Sequence, residues 1–353
     1  MTFEQARALF PVLERIAYLN AGTFGPLAAP TTEAMRAELE RDTVEGRTGL
    51  PYLERALELR DRGRVAIAGL IGADAAQVAL TSSTTDGCNI VLAGLGLGPA
   101  DEVVTTTDEH FGLLGPLGVS SARIVVVEPD PEQILAAVTP RTRLLALSEV
   151  LWTTGRVLPV AELRARSGVP VLVDGAQSVG AIPVRTDGID FLTVSGQKWL
   201  CGPDATGALF VAEPDRLRIA SPSYFAQAEY EQDGSFVPRE GAVRFERNWW
   251  SASTVAGVLA ALDLRPPWAF DRAAEVADRC RALLAQRCEV IVPDVCATLV
   301  AFRPNEDATA LVARLLSEGV YVRELPRAGL IRVSCGWWTS DGDLERLVTA
   351  LHA

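Results

Sequence analysis

Between residues 78 and 212 the chain alternates short Val- and Leu-rich runs with helix-forming segments, and this alternation restricts the fold more than any other feature. The runs are QVALTS, DEVVTT, RIVVVEP, RLLALSEV, VPVLVDGA, FLTVSG and GALFVA, separated by helical stretches such as 131–138 and 160–167. Strands apolar on both faces need cover on both sides, so the pattern predicts an α/β protein with a mainly parallel central sheet flanked by helices. GALFVA is expected as an antiparallel edge. Ahead of the sheet, 32–70 reads as two helices, the first capped by Thr31 or Thr32 and the second opening at Pro51. Residues 214–243, rich in Pro, Ser, Gly and aromatics, read as a long loop able to border a site. From Ser253 the pattern changes to a helix broken at Pro266-Pro267, a further helix, strands in CATLVAF and GVYVREL, a helix at 306–317, the strand LIRVS and a helix at 341–351. The expected division is a large α/β domain at 21–243 and a smaller α+β domain made of 1–20 and 244–353.

Composition narrows the partners. With 353 residues, 48% hydrophobic and 22% charged, the chain is neither disordered nor fibrous. Its 45 acidic against 33 basic residues, net −12, give no general grip on nucleic acid or an anionic membrane, so a small molecule is the expected partner. Six cysteines without a CxxC pair, and only two histidines, His110 and His352, argue against a metal site and a disulfide framework. No run of 18 apolar residues appears and the N-terminus lacks an apolar signal core, so a cytoplasmic protein is expected.

Of the 33 basic residues, one is lysine, Lys198, and 32 are arginine. Arginine replaces lysine in most surface roles. It cannot do so where a neutral primary amine must attack a carbonyl, because the guanidinium stays protonated. The surviving lysine therefore points to chemistry. A decoy can be set aside: GLGLG at 94–98 follows a helix and precedes a strand, the reverse of a dinucleotide-binding turn, and reads as a helix C-cap.

Four segments carry chemical groups. TSSTTDGCN, 81–89, follows a strand and opens a helix, where free N–H groups and hydroxyls suit a phosphate or simply cap the helix. VLVDGAQSVG, 171–180, ends a buried strand with Asp174, at the edge where parallel sheets bind ligands. FLTVSGQKWLCGPDATGALF, 191–210, sets Lys198 just past another buried strand. LIRVSCG, 330–336, places Arg332 in an apolar strand, where its fork fits a carboxylate unless it faces solvent. A lysine for a Schiff base, an acid for a pyridinium nitrogen, a helix start for a phosphate and an arginine for a substrate carboxylate together fit pyridoxal 5'-phosphate (PLP).

From YLNAGTFGPL at 18–27 to LIRVSCGWWT at 330–339, the chain resembles the class V aminotransferase/cysteine desulfurase-like family, carried by DGAQS, SGxKW and GP in order. That resemblance implies the PLP-dependent transferase fold type I and a homodimer. It implies that Lys198 holds PLP and then serves as catalytic base, that Asp174 meets the ring nitrogen and Gln177 the ring hydroxyl, and that Thr84, Thr85 and Ser195 hold the phosphate. His110 would stack on the ring and take part in catalysis. Arg332 would clamp the substrate α-carboxylate beside Asn20 and Ala21.

Departures from the family guide the choice of reaction. Gln197 stands where a histidine is usual and can still donate to phosphate. Trp152 stands where desulfurases carry Asn. Trp249 falls near the place of a neighbouring subunit's phosphate-binding Thr, with Asn248 or Ser251 as substitutes. GVYVRELPRAGLI, before Arg332, lacks the mobile cysteine of a desulfurase, and neither Cys335 nor Cys296 replaces it, which disfavours persulfide-forming desulfurization. LWTTGRVLP and the short link from GVYVREL to IRVSC look most like the cysteine/cystine C–S lyase and isopenicillin N epimerase branch. The favoured reaction is β-elimination from cysteine, cystine or an S-substituted cysteine after Cα deprotonation. An aminotransferase or an epimerase stays open, and a non-catalytic PLP-fold protein is least favoured. Tyr224, Phe225 and Tyr230 are expected to shape side-chain choice.

Overall fold

The computed structural model describes residues 1–351; His352 lies outside them. The runs at 78–211 form one seven-stranded sheet whose strands, from edge to edge, are Val78–Thr81, Gly207–Val211, Phe191–Ser195, Val171–Asp174, Thr142–Ser148, Glu102–Thr106 and Arg123–Val127. The last five are mutually parallel, and Gly207–Val211 runs antiparallel to both its neighbours. GALFVA is therefore antiparallel but interior. Val78–Thr81 lies outside it, and the Leu80 N–H donates to the buried carboxylate of Glu246 at 3.0 Å. Covering an edge donor this way blocks further strand pairing. The same carboxylate pairs with Arg60 and Arg64.

Helices bury Val, Leu and Ile on both faces of the sheet, which is why its inner strands are apolar throughout. Two helices stand at Ala29–Val44 and Gly49–Ile71, and neither begins as the sequence suggests. The first is entered at Ala28, with Pro30 in its opening turn, so Thr31 and Thr32 lie inside it rather than capping it. The second begins at Gly49, two residues before Pro51. Helix Phe111–Gly118 contains Pro116 and was hidden by its glycines. The GLGLG segment is a helix C-cap: Gly96 follows Thr84–Leu95 with φ of 60°, the left-handed conformation glycine adopts freely. The 214–243 stretch is not all loop, since Gln227–Tyr230 pairs antiparallel with Phe236–Pro238.

A four-stranded antiparallel sheet follows, in the order Glu289–Ile291, Leu299–Arg303, Leu330–Ser334, Arg323–Leu325. It packs with Ala269–Ala285, Ala308–Ser317 and Asp341–Ala350 around Val276, Phe302, Leu315 and Ile331. Ala17–Tyr18 joins this region by parallel pairing with Val320–Tyr321. Helix Ala252–Asp263 sends Val255, Val258 and Leu259 into the core of the large sheet instead. No helix among the described residues is long and apolar enough to cross a membrane.

Candidate active site

The carboxyl ends of strands Val171–Asp174 and Phe191–Ser195 are neighbours, with Asp174 paired to Thr193. Asp174 is buried, and its Oδ1 accepts from the Ala176 N–H at 3.0 Å and the Thr193 hydroxyl at 3.4 Å. Lys198 stands three residues beyond the adjoining strand and borders a cavity of about 260 Å³. Burial, with Arg332 and Arg323 adding to it, draws the lysine ammonium down to about 8 against the pull of Asp174. The only primary amine side chain of the chain is thereby moved towards neutrality. A close backbone approach fixes the turn: a Cβ on Gly25 would stand 2.1 Å from the Lys198 carbonyl oxygen, and the Gly25 N–H donates to the Gln197 carbonyl at 2.8 Å.

One wall of the cavity is the start of helix Thr84–Leu95. Ser83 is its N-cap and accepts from the Asp86 N–H, so Thr84 and Thr85 occupy the first two helical positions, where N–H groups have no intrahelical acceptor. Asp86 is held by Arg247 and Asn248, and Ser251 caps the following helix, so both substitutes considered for a cross-subunit contact already serve their own chain. Trp249 stacks on Phe225 at 4.7 Å, beneath the Arg60 guanidinium. Ser195 and Gln197 line the cavity together, the hydroxyl donating to the amide oxygen at 3.2 Å.

His110 ends its loop as the N-cap of Phe111–Gly118, its Nδ1 accepting from the Gly112 N–H at 3.0 Å. Burial, then the charge of Lys198, lowers its basicity, so the ring is neutral with its proton on Nε2. It meets Trp152 edge to face at 5.1 Å. Gln177 also borders the cavity, donating to the Gly22 carbonyl at 2.9 Å and accepting from the Trp199 indole at 3.0 Å.

Opposite these groups lies the small sheet. Arg332 is 1% exposed, and burial, then Arg323, pulls its guanidinium down to about 9. Nη1 donates to the Trp152 carbonyl at 2.7 Å, Nη2 reaches the Thr23 hydroxyl at 3.4 Å, and Nε has no partner. Arg323 pairs with Arg332 across the hairpin, lines the same cavity and reaches the Thr23 hydroxyl at 3.3 Å. Neither arginine pairs with an acid among the described residues.

The structure thus gathers Lys198, His110, Thr84, Thr85, Gln177, Ser195, Gln197 and Arg332 around one cavity, with Asp174 buried close behind Lys198. Asn20 and Ala21 are buried and do not line it; Gly22, Thr23 and Phe24 do, with Asn20 accepting from Thr23 at 2.9 Å behind them. Sequence reasoning passed over Ser83, Thr23 and Arg323. Ser83 carried a signal as one of the hydroxyls of TSSTTDGCN, whereas Arg323 enters the site through the hairpin register that sets it directly across from Arg332. No cluster of His, Cys, Asp or Glu among the described residues is placed to hold a metal ion.

The donor set fits PLP on its own terms. It offers an uncommitted helix start for a phosphate, a buried carboxylate for a ring nitrogen, an amine of lowered basicity for an aldehyde and an unpaired guanidinium for a carboxylate.

Comparison with known proteins gives the same frame. The family model described as aminotransferase class V matches residues 18–235. Isopenicillin N epimerase of Streptomyces clavuligerus is 30% identical, covering 99% of this chain and 98% of the epimerase. A cysteine desulfurase of Enterobacter sp. strain 638 is 28% identical, covering 99% and 97%. The solved structure of the cystine C–S lyase C-DES with its product cysteine persulfide superposes with a TM-score of 0.90 at 26% identity, covering 97% of this chain and 98% of that one. A C-DES variant with glycine covalently linked to its PLP cofactor reaches a TM-score of 0.91 at 26% identity over 98% of each chain. PLP is the cofactor, and the chain belongs to the class V aminotransferase family of fold type I PLP enzymes.

Proposed function

We propose that the enzyme is a β-eliminating carbon–sulfur lyase whose preferred substrate is cystine, with other S-substituted cysteines as poorer substrates. One observation carries this reading: two guanidinium groups, Arg332 and Arg323, face one cavity without an acid to neutralise either. A single amino-acid carboxylate needs one such fork, whereas cystine brings two carboxylates. The similarity to the cystine lyase supports the same choice. Persulfide formation on the enzyme is disfavoured because no cysteine is among the residues lining the cavity.

Bound PLP supplies an electron sink that makes the substrate Cα–H acidic. The residues of the chain do the rest. Asp174, at the strand end, would hold the ring-nitrogen proton. Thr84, Thr85, Ser195 and Gln197 would bind the phosphate, Gln177 would meet the ring hydroxyl, and His110, neutral and braced by Trp152, would cover the ring face. Arg332 would orient the α-carboxylate, so that Lys198 Nζ faces the Cα proton. Lys198 takes that proton, the Cα–H electron pair becomes the Cα–Cβ double bond, and the Cβ–S bond breaks. The sulfur leaves with its bonding pair as cysteine persulfide, and the released aminoacrylate hydrolyses to pyruvate and ammonia.

Racemisation at Cα or amino transfer begins with the same proton removal, and the similarity to the epimerase keeps both as alternatives. Incubation of the holoenzyme with cystine and no keto acid tests the choice. Pyruvate and persulfide sulfur in equal amounts support the lyase; inversion alone, or turnover only with an added keto acid, overturns it. Two copies are proposed to assemble as a dimer, a reading supported by Phe24, which lines the cavity and stays largely exposed. A monomer by light scattering would remove that part of the reading.

A further inference from the structure

Residues 151–155 turn the chain back beside the cavity, and their backbone closes the turn unaided. The Gly155 N–H donates to the Leu151 carbonyl and the Leu151 N–H to the Arg156 carbonyl, both at 2.9 Å. Gly155 takes φ of 75°, and a Cβ there would stand 2.6 Å from the Leu299 carbonyl oxygen. The Thr154 hydroxyl accepts from the Arg156 N–H at 3.3 Å, a local turn contact. Thr153 is used differently. It is buried, and its hydroxyl donates to Asp108, an acid two residues before His110 with no basic partner among the described residues. The residue just before it, Trp152, meets the site in two ways. Its ring packs on Ala301, Leu325 and Leu330 and lies 5.1 Å from His110, and its carbonyl accepts from Arg332 Nη1 at 2.7 Å.

We propose that Thr153, anchored to Asp108, is a positioning residue for the substrate carboxylate: it fixes the Trp152 peptide, whose carbonyl occupies Arg332 Nη1 and leaves the Nε–Nη2 edge of the guanidinium for the carboxylate. This rests on the role given above to Arg332. A carboxylate takes two neighbouring N–H groups of a guanidinium at once. Nη1 is committed to Trp152, Nε has no partner, and Nη2 makes only a long contact with Thr23 at 3.4 Å, so the Nε–Nη2 edge is the pair still open. Arg332 is buried, so water does not stand in for the Trp152 carbonyl, and releasing that peptide would free the fork to turn. The anchor also joins two loops. Asp108 follows strand Glu102–Thr106 and leads to His110, whereas Thr153 follows strand Thr142–Ser148, so one hydrogen bond ties the group at the ring face to the group that takes the carboxylate.

Titration of the PLP-loaded enzyme with glycine and with glycinamide at one pH, followed by the change in coenzyme absorption, tests the assignment without turnover. Both ligands bring an amine, neither has a Cβ, and only glycine brings a carboxylate, so the ratio of their affinities reports the carboxylate contact. Thr153→Val, which keeps the shape of the side chain, should lower that ratio about fivefold, the size expected for one misaligned hydrogen bond to a charged group, and Thr153→Ser should restore it. Asp108→Ala removes the acceptor from the other side and should lower the ratio in the same way. A disturbance of His110 or of the fold bears on both ligands and cancels. Arg332→Gln separates this proposal from the reading beneath it. If Arg332→Gln leaves the ratio at its wild-type value, the carboxylate role of Arg332 fails and the proposal with it. If Arg332→Gln lowers the ratio while Thr153→Val and Asp108→Ala leave it unchanged, the role of Thr153 alone is refuted.

Discussion

Arg323→Gln separates a two-carboxylate substrate from a one-carboxylate substrate. Arg323 faces Arg332 across the hairpin and reaches only the Thr23 hydroxyl in the cavity, so a distal substrate carboxylate is its natural acid partner. A hydrogen bond to a charged group contributes about 1.5–3 kcal/mol, and the partly exposed position of Arg323 places its share near the lower end. A loss of about 2 kcal/mol corresponds to about a 30-fold fall in kcat/KM. The assay is pyruvate release coupled to lactate dehydrogenase, with cystine and S-methylcysteine compared on the same preparations. Cystine should lose about 30-fold, carried largely by KM, while S-methylcysteine, which has one carboxylate, changes less than about threefold. Arg323 also acts on Lys198 through its charge, but that influence is common to both substrates and cancels in the ratio. Equal losses on the two substrates would refute the reasoning.

The other predictions concern the groups beneath and beside the cavity. Glu109 is 5% exposed, and burial raises its carboxyl to about 7 despite hydrogen bonds from Ser148 and Thr106, so the native state holds the extra proton. Its contribution to stability is complete below about 4.5 and is lost as pH rises through about 7; chemical denaturation should show Glu109→Gln removing a decline on the order of 3 kcal/mol over that window. Glu246→Gln leaves Arg60 and Arg64 without their shared carboxylate and should cost about 3–5 kcal/mol in urea unfolding, whereas a loss below about 1 kcal/mol would deny the buried triad its role. Because the chain has one lysine, anhydride labelling of the coenzyme-free enzyme read by mass spectrometry reports on Lys198 alone once the N-terminus is subtracted. Its midpoint should lie near 8 and move lower in Asp174→Asn, since Asp174 holds the ammonium up; a midpoint near 10 would contradict the buried setting.

Much of this was legible in the sequence because the constraints were local. Strands apolar on both faces read as a covered sheet, and Asp174 and Lys198 read as groups at its carboxyl edge because each directly follows or ends such a run. The unusual residue census did the same for Lys198, since one amine among 32 guanidiniums needs a reason. What escaped depended on pairing between distant segments. Nothing within GALFVA says that a second strand, 126 residues earlier, pairs on its outer side, as Thr81 and Gly207 do. Arg323 looked like any polar residue in an alternating strand until the hairpin register set it against Arg332. Asn20 and Ala21 were one turn short of the wall, because backbone direction there is fixed by contact with Ser334 and not by composition. The cap of the first long helix was misplaced for a related reason: Thr31 looks like an N-cap, but Pro30 already lies in the first turn.

Borohydride reduction of the PLP-loaded enzyme, followed by peptide mapping, tests the central assignment most directly. Reduction fixes the coenzyme to the amine that carries it, and the account predicts one pyridoxyl group on the peptide containing Lys198, with loss of the visible absorption band and of pyruvate release in Lys198→Ala. Coenzyme bound without any label at Lys198, or a Lys198→Ala variant that keeps both the band and the activity, would contradict it.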